Sequence, residues 1–184
     1  MEIEAKSENK RLNTMVAVTV LIVSLFLAVT KLKDDNLVRA MEFVKADSID
    51  LWNEYQAERI KLHGDENDTK LLRLVRAQNT QDLAAEQKRL AEQIAKYTGH
   101  SAGLADRARS EDARYEALKF RHEQFDMEDG ILSIALALTA VAALTELYWL
   151  LATGWGFAAF GITMGVAGFL GWSLHPEFLT RVLG

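Results

Sequence analysis

Glu146 is the one acidic or basic residue between Gly130 and His175, in a stretch otherwise built of aliphatic, small and aromatic residues. An ionisable group in such surroundings usually faces a bundle interior or an aqueous path, which makes it a candidate for binding or moving an ion. Thr139 and Thr153 stand seven residues to either side of it and would extend a polar path along the same helical face. The competing reading, which is preferred, puts Glu146 near the end of an apolar helix, snorkelling to an interface beside Tyr148 and Trp149. A second group gathers His122, Asp126, Glu128 and Asp129. His122 and Asp126 are four residues apart and share a helical face. With the neighbouring carboxylates they have the chemistry to hold a divalent ion. They read more simply as a solvated acidic collar at the N-terminus of an apolar helix, where negative charge is favoured. No metal and no other cofactor is expected.

Other chemistries are excluded by what the chain lacks. Zero Cys removes thiolate nucleophiles, disulfides and Cys-ligated metals. There is no phosphate-binding glycine loop, no nucleophile elbow and no paired-His zinc pattern on an apolar face. The four His residues, at 63, 100, 122 and 175, are scattered. A net charge of −5, with Lys and Arg interleaved among acids, is unlike a nucleic-acid groove. The chain is therefore not expected to be an enzyme or to bind nucleic acid.

The elements that must carry these residues follow from charge segregation. Of 47 charged residues (21 basic, 26 acidic), 38 fall between Lys31 and Asp129. Residues 14–30 are uncharged and apolar, about the length that crosses a hydrocarbon core. Lys10 and Arg11 precede them, but Ala28-Val29-Thr30 makes a poor cleavage site, so the segment reads as a retained anchor rather than a signal peptide. The apolar stretch from Gly130 to His175 is too long for one crossing and predicts a helical hairpin. Thr153-Gly154-Trp155-Gly156 is the preferred turn, giving spans 130–152 and 155–175, with Thr145-Glu146 as runner-up. His175-Pro176-Glu177 should end the last helix. Tails of 1–13 and 176–184 complete the chain. Lys6, Lys10 and Arg11 favour the N-tail inside and the middle outside, which is preferred by a narrow margin because Lys31, Lys33 and Arg39 pull the opposite way.

The middle, residues 31–129, carries 17 basic and 21 acidic residues, no Pro and three Gly. Mixed charge with few breakers predicts exposed helix. Leu37, Met41, Val44, Leu51, Tyr55 and Leu62 form a stripe at steps of three and four, with Ser48 and Glu58 as gaps. Leu83, Leu90, Ile94 and Tyr97 form another around Gln87. A third runs through Leu104, Ala108, Tyr115, Leu118, His122 and Phe125, with Glu111 as its gap. Breaks at 63–68 and 98–103 predict three helices, over about 31–62, 68–97 and 104–129. The first and third are matched in length and the second lies across, bends or reaches to a neighbour. So few apolar stripes order poorly alone, which points to self-association.

Small residues mark the last apolar helix: Gly154, Ala158, Gly161, Gly165 and Gly168, at steps of four and three. Such a face lets helices approach closely, against another span of the same chain or against a second subunit. Trp52, Tyr55 and Gln56, with Tyr115, Phe125 and Asp126, form a candidate patch for packing of the first stalk helix on the third, or for docking a partner.

Two segments carry a resemblance. Trp52-Asn53-Glu54-Tyr55-Gln56-Ala57-Glu58-Arg59-Ile60-Lys61, and Tyr115-Glu116-Ala117 with Arg121-His122-Glu123-Gln124-Phe125-Asp126, resemble a bacterial family of uncharacterised membrane proteins, domain of unknown function 4337. The likeness extends to the order of elements and covers nearly the whole chain. Glu58 stands where the family pattern leads us to expect Lys. The resemblance implies a multi-pass protein of the bacterial inner (cytoplasmic) membrane and supplies no activity. The expected fold is all-α and integral to the membrane. It has three transmembrane helices and a membrane-proximal, coiled-coil-like helical stalk between the first and second. The expected role is a homo-oligomeric structural or scaffold protein, in contact with membrane lipid, whose stalk mediates assembly or binds an unidentified protein partner. The alternative is a homo-oligomeric channel or transporter lined by polar residues of the spans.

Overall fold

The computed structural model describes residues 10–74 and 80–172. Among them the chain is helical except at Glu146-Leu147 and Gly171-Trp172, with no strand. Helix α1 runs Lys10–Leu74, α2 runs Thr80–Thr145 and α3 runs Tyr148–Leu170. Each is long and apolar enough, over part of its length, to cross a membrane. The chain divides into two compact units: Met1–Ala40 with Ala117–Gly184, and Met41–Glu116.

Two helices, not three, build the middle region. The expected breaks at 63–68 and 98–103 lie inside α1 and α2 respectively. Each offers glycine and turn-prone polar residues but no proline. A glycine costs a helix only ~1 kcal/mol relative to alanine. Burial of Leu62, Leu90 and Leu104 nearby offsets that. Within Met41–Glu116 the two helices pair antiparallel. Ser48 Oγ donates to Asp112 Oδ1 at 2.5 Å, His100 Nδ1 lies 3.7 Å from Glu58 Oε2, and Lys61 Nζ lies 5.7 Å from the Tyr97 ring centre. The stripe through Val44 and Leu62 is buried as its spacing predicts, and its gap residues Ser48 and Glu58 are buried with it.

In the other unit, α1, α2 and α3 pack as a three-helix bundle. Val23 of α1, Leu132 and Ala135 of α2 and Ala158 of α3 form one core cluster. Leu12, Val16, Ala142 and Leu151 form a second. Trp155 Nε1 donates to Thr19 Oγ1 at 2.8 Å and ties α3 to α1. The link between α2 and α3 is Glu146-Leu147, so the runner-up turn is the observed one. The preferred turn at Thr153–Gly156 lies inside α3. There Gly154 is spent on packing: a Cβ would stand 3.0 Å from Thr139 Oγ1 and 3.2 Å from the Ala135 carbonyl. Glu146, charged and exposed, takes the reversal instead, with φ 54°. Helix α1 already includes Lys10, ahead of the expected span start at Thr14. The helix end expected at His175-Pro176-Glu177 lies outside the described residues.

A side chain at Gly161 has no room, because its Cβ would stand 2.6 Å from Leu132 Cδ2 and 2.7 Å from Leu132 Cγ, and Leu132 is fully buried. Gly161→Ala should therefore destabilise the bundle by about 1–3 kcal/mol through overpacking. Gly156→Ala, where a Cβ meets nothing, should be neutral or better. Thermal unfolding of the two variants in the same detergent checks the contrast.

Candidate functional site

The apolar unit holds a seam of polar side chains in its interior. From α1 come Thr30 and Asp34, both buried. They extend the buried stripe of Leu37 backward at steps of three and four, so helical periodicity places them inward despite their polarity. From α2 come Arg121, His122, Gln124 and Glu128, on the turns facing α1 and α3. Thr30 Oγ1 donates to the carbonyls of Phe26 and Leu27 at 3.1 Å.

Asp34 is the hub. His122 Nδ1 lies 2.6 Å from its Oδ1, and Lys31 Nζ lies 3.4 Å from its Oδ2. His122 Nε2 in turn lies 3.4 Å from Asp126 Oδ2. Each ring nitrogen of His122 thus faces a carboxylate oxygen, one on α1 and one on its own helix. Asp34, His122 and Asp126 also present ligand atoms within 4.8 Å of one another, so the trio has three of the donors a divalent ion would need. The space beside Asp34, Thr30 and Asp126 is only about 10 Å³, at most one water.

The C-terminal end of α3 is held from α2. Arg121 Nε donates to the Gly168 carbonyl at 3.1 Å and its Nη2 to the Phe169 carbonyl at 3.3 Å. Gln124 Nε2 donates to the Trp172 carbonyl at 2.8 Å. A cation at a helix C-terminus meets the negative end of the macrodipole. Gly171, at φ 68°, adopts the left-handed conformation that ends the helix, with the Trp172 amide donating to the Ala167 carbonyl.

Glu128 is the most costly residue in the seam. It is 1% exposed, and neither carboxylate oxygen reaches hydrogen-bonding geometry with a partner among the described residues, although Thr30 is beside it. It lies directly against Gly165, where any Cβ would collide with the carboxyl group and stand 2.9 Å from Phe26 Cε1.

The small-residue face is therefore occupied within the chain. Gly154, Ala158, Gly161, Gly165 and Gly168 are all buried. Four of them meet α2 residues in order: Thr139, Leu132, Glu128 and Phe125. Of the two alternatives in the sequence, the structure places this face against α2 of the same chain. The polar residues Thr139, Glu146 and Thr153 are not brought together. Thr139 is buried with its hydroxyl bonded to the Ala135 carbonyl, while Glu146 and Thr153 are exposed.

The stalk patch divides between the two units. In Met41–Glu116, the Trp52 and Tyr55 rings meet edge-on at 5.5 Å, Trp52 Nε1 donates to Asp112 Oδ2 at 3.0 Å, and Lys45 Nζ lies 5.1 Å from the Tyr115 ring centre. Trp52 and Tyr115 thus make contacts between α1 and α2, Tyr55 meets Trp52 on its own helix, and Gln56 is exposed. Phe125 and Asp126 belong to the other unit, where Phe125 is buried against Phe169 at 5.7 Å. Sequence reasoning missed Asp34, Arg121 and Asp112. Asp34 and Asp112 sit on apolar stripes at steps of three and four, and that position was the available signal. Arg121 carried no such signal, since its role depends on where α3 ends.

These features define an all-helical protein with three long apolar helices, a glycine-mediated helix contact and an internal polar seam. A family model described as Domain of unknown function (DUF4337) matches residues 12–171, and the chain belongs to that family. No curated protein and no solved structure matches it.

Two expectations follow. Glu128→Gln removes the ionisable group with little change of shape and should leave the bundle as stable or more so, whereas Asp34→Ala should cost about 2 kcal/mol by taking the buried carboxylate from the His122 ring. Unfolding of both variants in one detergent checks this. In Met41–Glu116, the donors Ser48 and Trp52 hold the Asp112 carboxyl below the usual range. Its folded value is below its unfolded one, so its contribution is present above the unfolded value of about 3.9 and lost as pH falls through the lowered one. Amide protection factors in 41–116, corrected for the intrinsic exchange rate at each pH, should fall below about pH 4, and Asp112→Asn should remove that step.

Proposed function

We propose that the protein is an integral membrane protein of the bacterial inner membrane. It crosses three times and acts as a homo-oligomeric structural or scaffold protein, with the charged pair of helices in 41–116 mediating assembly or binding a protein partner. One observation carries the membrane part of this reading. In the unit that contains α3, large aliphatic side chains point outward, with Leu21 68% and Leu25 65% exposed, while Asp34, Glu128 and Thr139 are buried. In water a continuous apolar exterior of that kind is a liability, and in lipid it is solvated.

The scaffold part is supported by what the charged helices offer. Among the described residues of 41–116 there is a solvated charged surface and a thin polar-apolar seam. A groove along Asp47, Asp50, Glu54, Arg107 and Glu111 is shallow and open, suited to contact with a macromolecule rather than to enclosing a small one.

The test is extraction. After washing of membranes at high pH, the protein should stay in the pellet and leave it only with detergent. A chain that is monodisperse in plain buffer would end this reading.

A further inference from the structure

Helix α1 carries a second face within 41–116, opposite the one that packs on α2. It begins with Ala46, Ile49, Asn53 and Gln56 and continues through Ile60. One extra step of four then leads to Gly64, Asn67, Leu71 and Leu74. These positions advance by threes and fours and fall within about 80° of arc at ~100° per residue. Eleven of the 29 residues from Ala46 to Leu74 are charged, and none lies on this face. All nine are exposed, and the large ones strongly so: Ile49 48%, Ile60 74%, Leu71 58% and Leu74 83%. Val44, Ser48, Glu58 and Leu62, on the opposite side, make the buried contact with α2. Isolated exposed apolar residues need no explanation, but four large ones on a charge-free stripe of nine positions at coiled-coil spacing form a face without a partner in the single chain.

The flanks of the seam say which partner fits. One flank is basic, with Lys45, Arg59 and Lys70. The other carries Asp50 and Asp68, with Lys61 the exception. Glu66 lies further round beyond the basic flank, where it pairs with His63. In a parallel pair, a flanking residue on one helix meets the opposite flank of the other about five residues on. That register sets Lys45 against Asp50 and His63 against Asp68 of a second copy. An antiparallel pair would set basic flank against basic flank.

We propose that the Ala46–Leu74 face of α1 is the homo-oligomer contact, occupied by the same face of a second copy of this chain in parallel and in register. The proposal deepens the assembly reading above and rests on it, since copies inserted the same way in one membrane stand parallel. In the single chain Lys45 lies over the Tyr115 ring, 5.1 Å from its centre.

The chain has no cysteine, so single cysteines report directly. Ile49→Cys, Ile60→Cys and Leu71→Cys would be made separately in the full chain, in membranes. Asp106→Cys, exposed on α2, is the control. Disulfides need Cα atoms about 4.4–6.8 Å apart. Mild oxidation should give covalent dimers at all three α1 positions and not at 106. An antiparallel pair can meet this requirement near its dyad only, so a cross-link at a single α1 position overturns the proposal, as does equal cross-linking at 106. Adding Ile60→Asp and Leu71→Asp to the Ile49→Cys chain should cut its dimer yield at least about tenfold. The mass of the detergent-solubilised complex separates the two failures. An oligomer without these cross-links overturns this face and leaves assembly standing, and a monomer overturns both.

Discussion

The contact of α3 with α2 is set by absent atoms. At Gly161 and Gly165 a single added carbon would overlap Leu132 or the Glu128 carboxyl group. Backbone therefore lies against side chain with no intervening layer, and dispersion between closely packed surfaces holds the two helices. The remaining geometry of that unit follows from this closeness. Phe125 reaches under Gly168, Arg121 reaches the last carbonyls of α3, and Glu128 is sealed from solvent. Lengthening the side chains along this face would separate the helices and release all three.

The two units obey opposite rules of solvation. In Met41–Glu116 the charges lie outside and the inward stripe holds Val44, Leu62, Leu90 and Leu104. Even there Ser48 and Glu58 interrupt the stripe, each answered by a partner on α2. In the unit with α3, aliphatic side chains lie outside, and Asp34, Gln124, Glu128 and Thr139 lie inside. A buried charge is costly unless it is paired, and Asp34 is paired twice. Paired polar groups at the core of an apolar bundle fix register more sharply than sliding aliphatic contacts do, because a slip of one residue strands them.

Much of this was legible in the residues. Helix throughout follows from mixed charge without proline, and the inward faces follow from steps of three and four. The locations of the turns were not legible. Gly64, Gly99 and Gly103 read as breakers, yet about 1 kcal/mol for each glycine is less than the packing a break would interrupt. Gly154 and Gly156 read as a turn because glycine serves both reversal and close approach, and only the partner surface decides between them. Asp34 and Asp112 were hidden by their polarity, although each sits where the periodicity places an inward side chain. Arg121 and Gln124 could not be read at all, since they cap a helix whose end is fixed by Gly171 some fifty residues later.

The hydrogen bond between Thr19 and Trp155 joins residues 136 apart. A ribosome adds ~5–20 residues per second, so the first apolar segment waits on the order of ten seconds before its α3 partner exists. For all of that interval Val23, Phe26 and Leu27 lack the contacts that later enclose them. The nascent chain must be shielded by something other than itself while the intervening hundred residues are made.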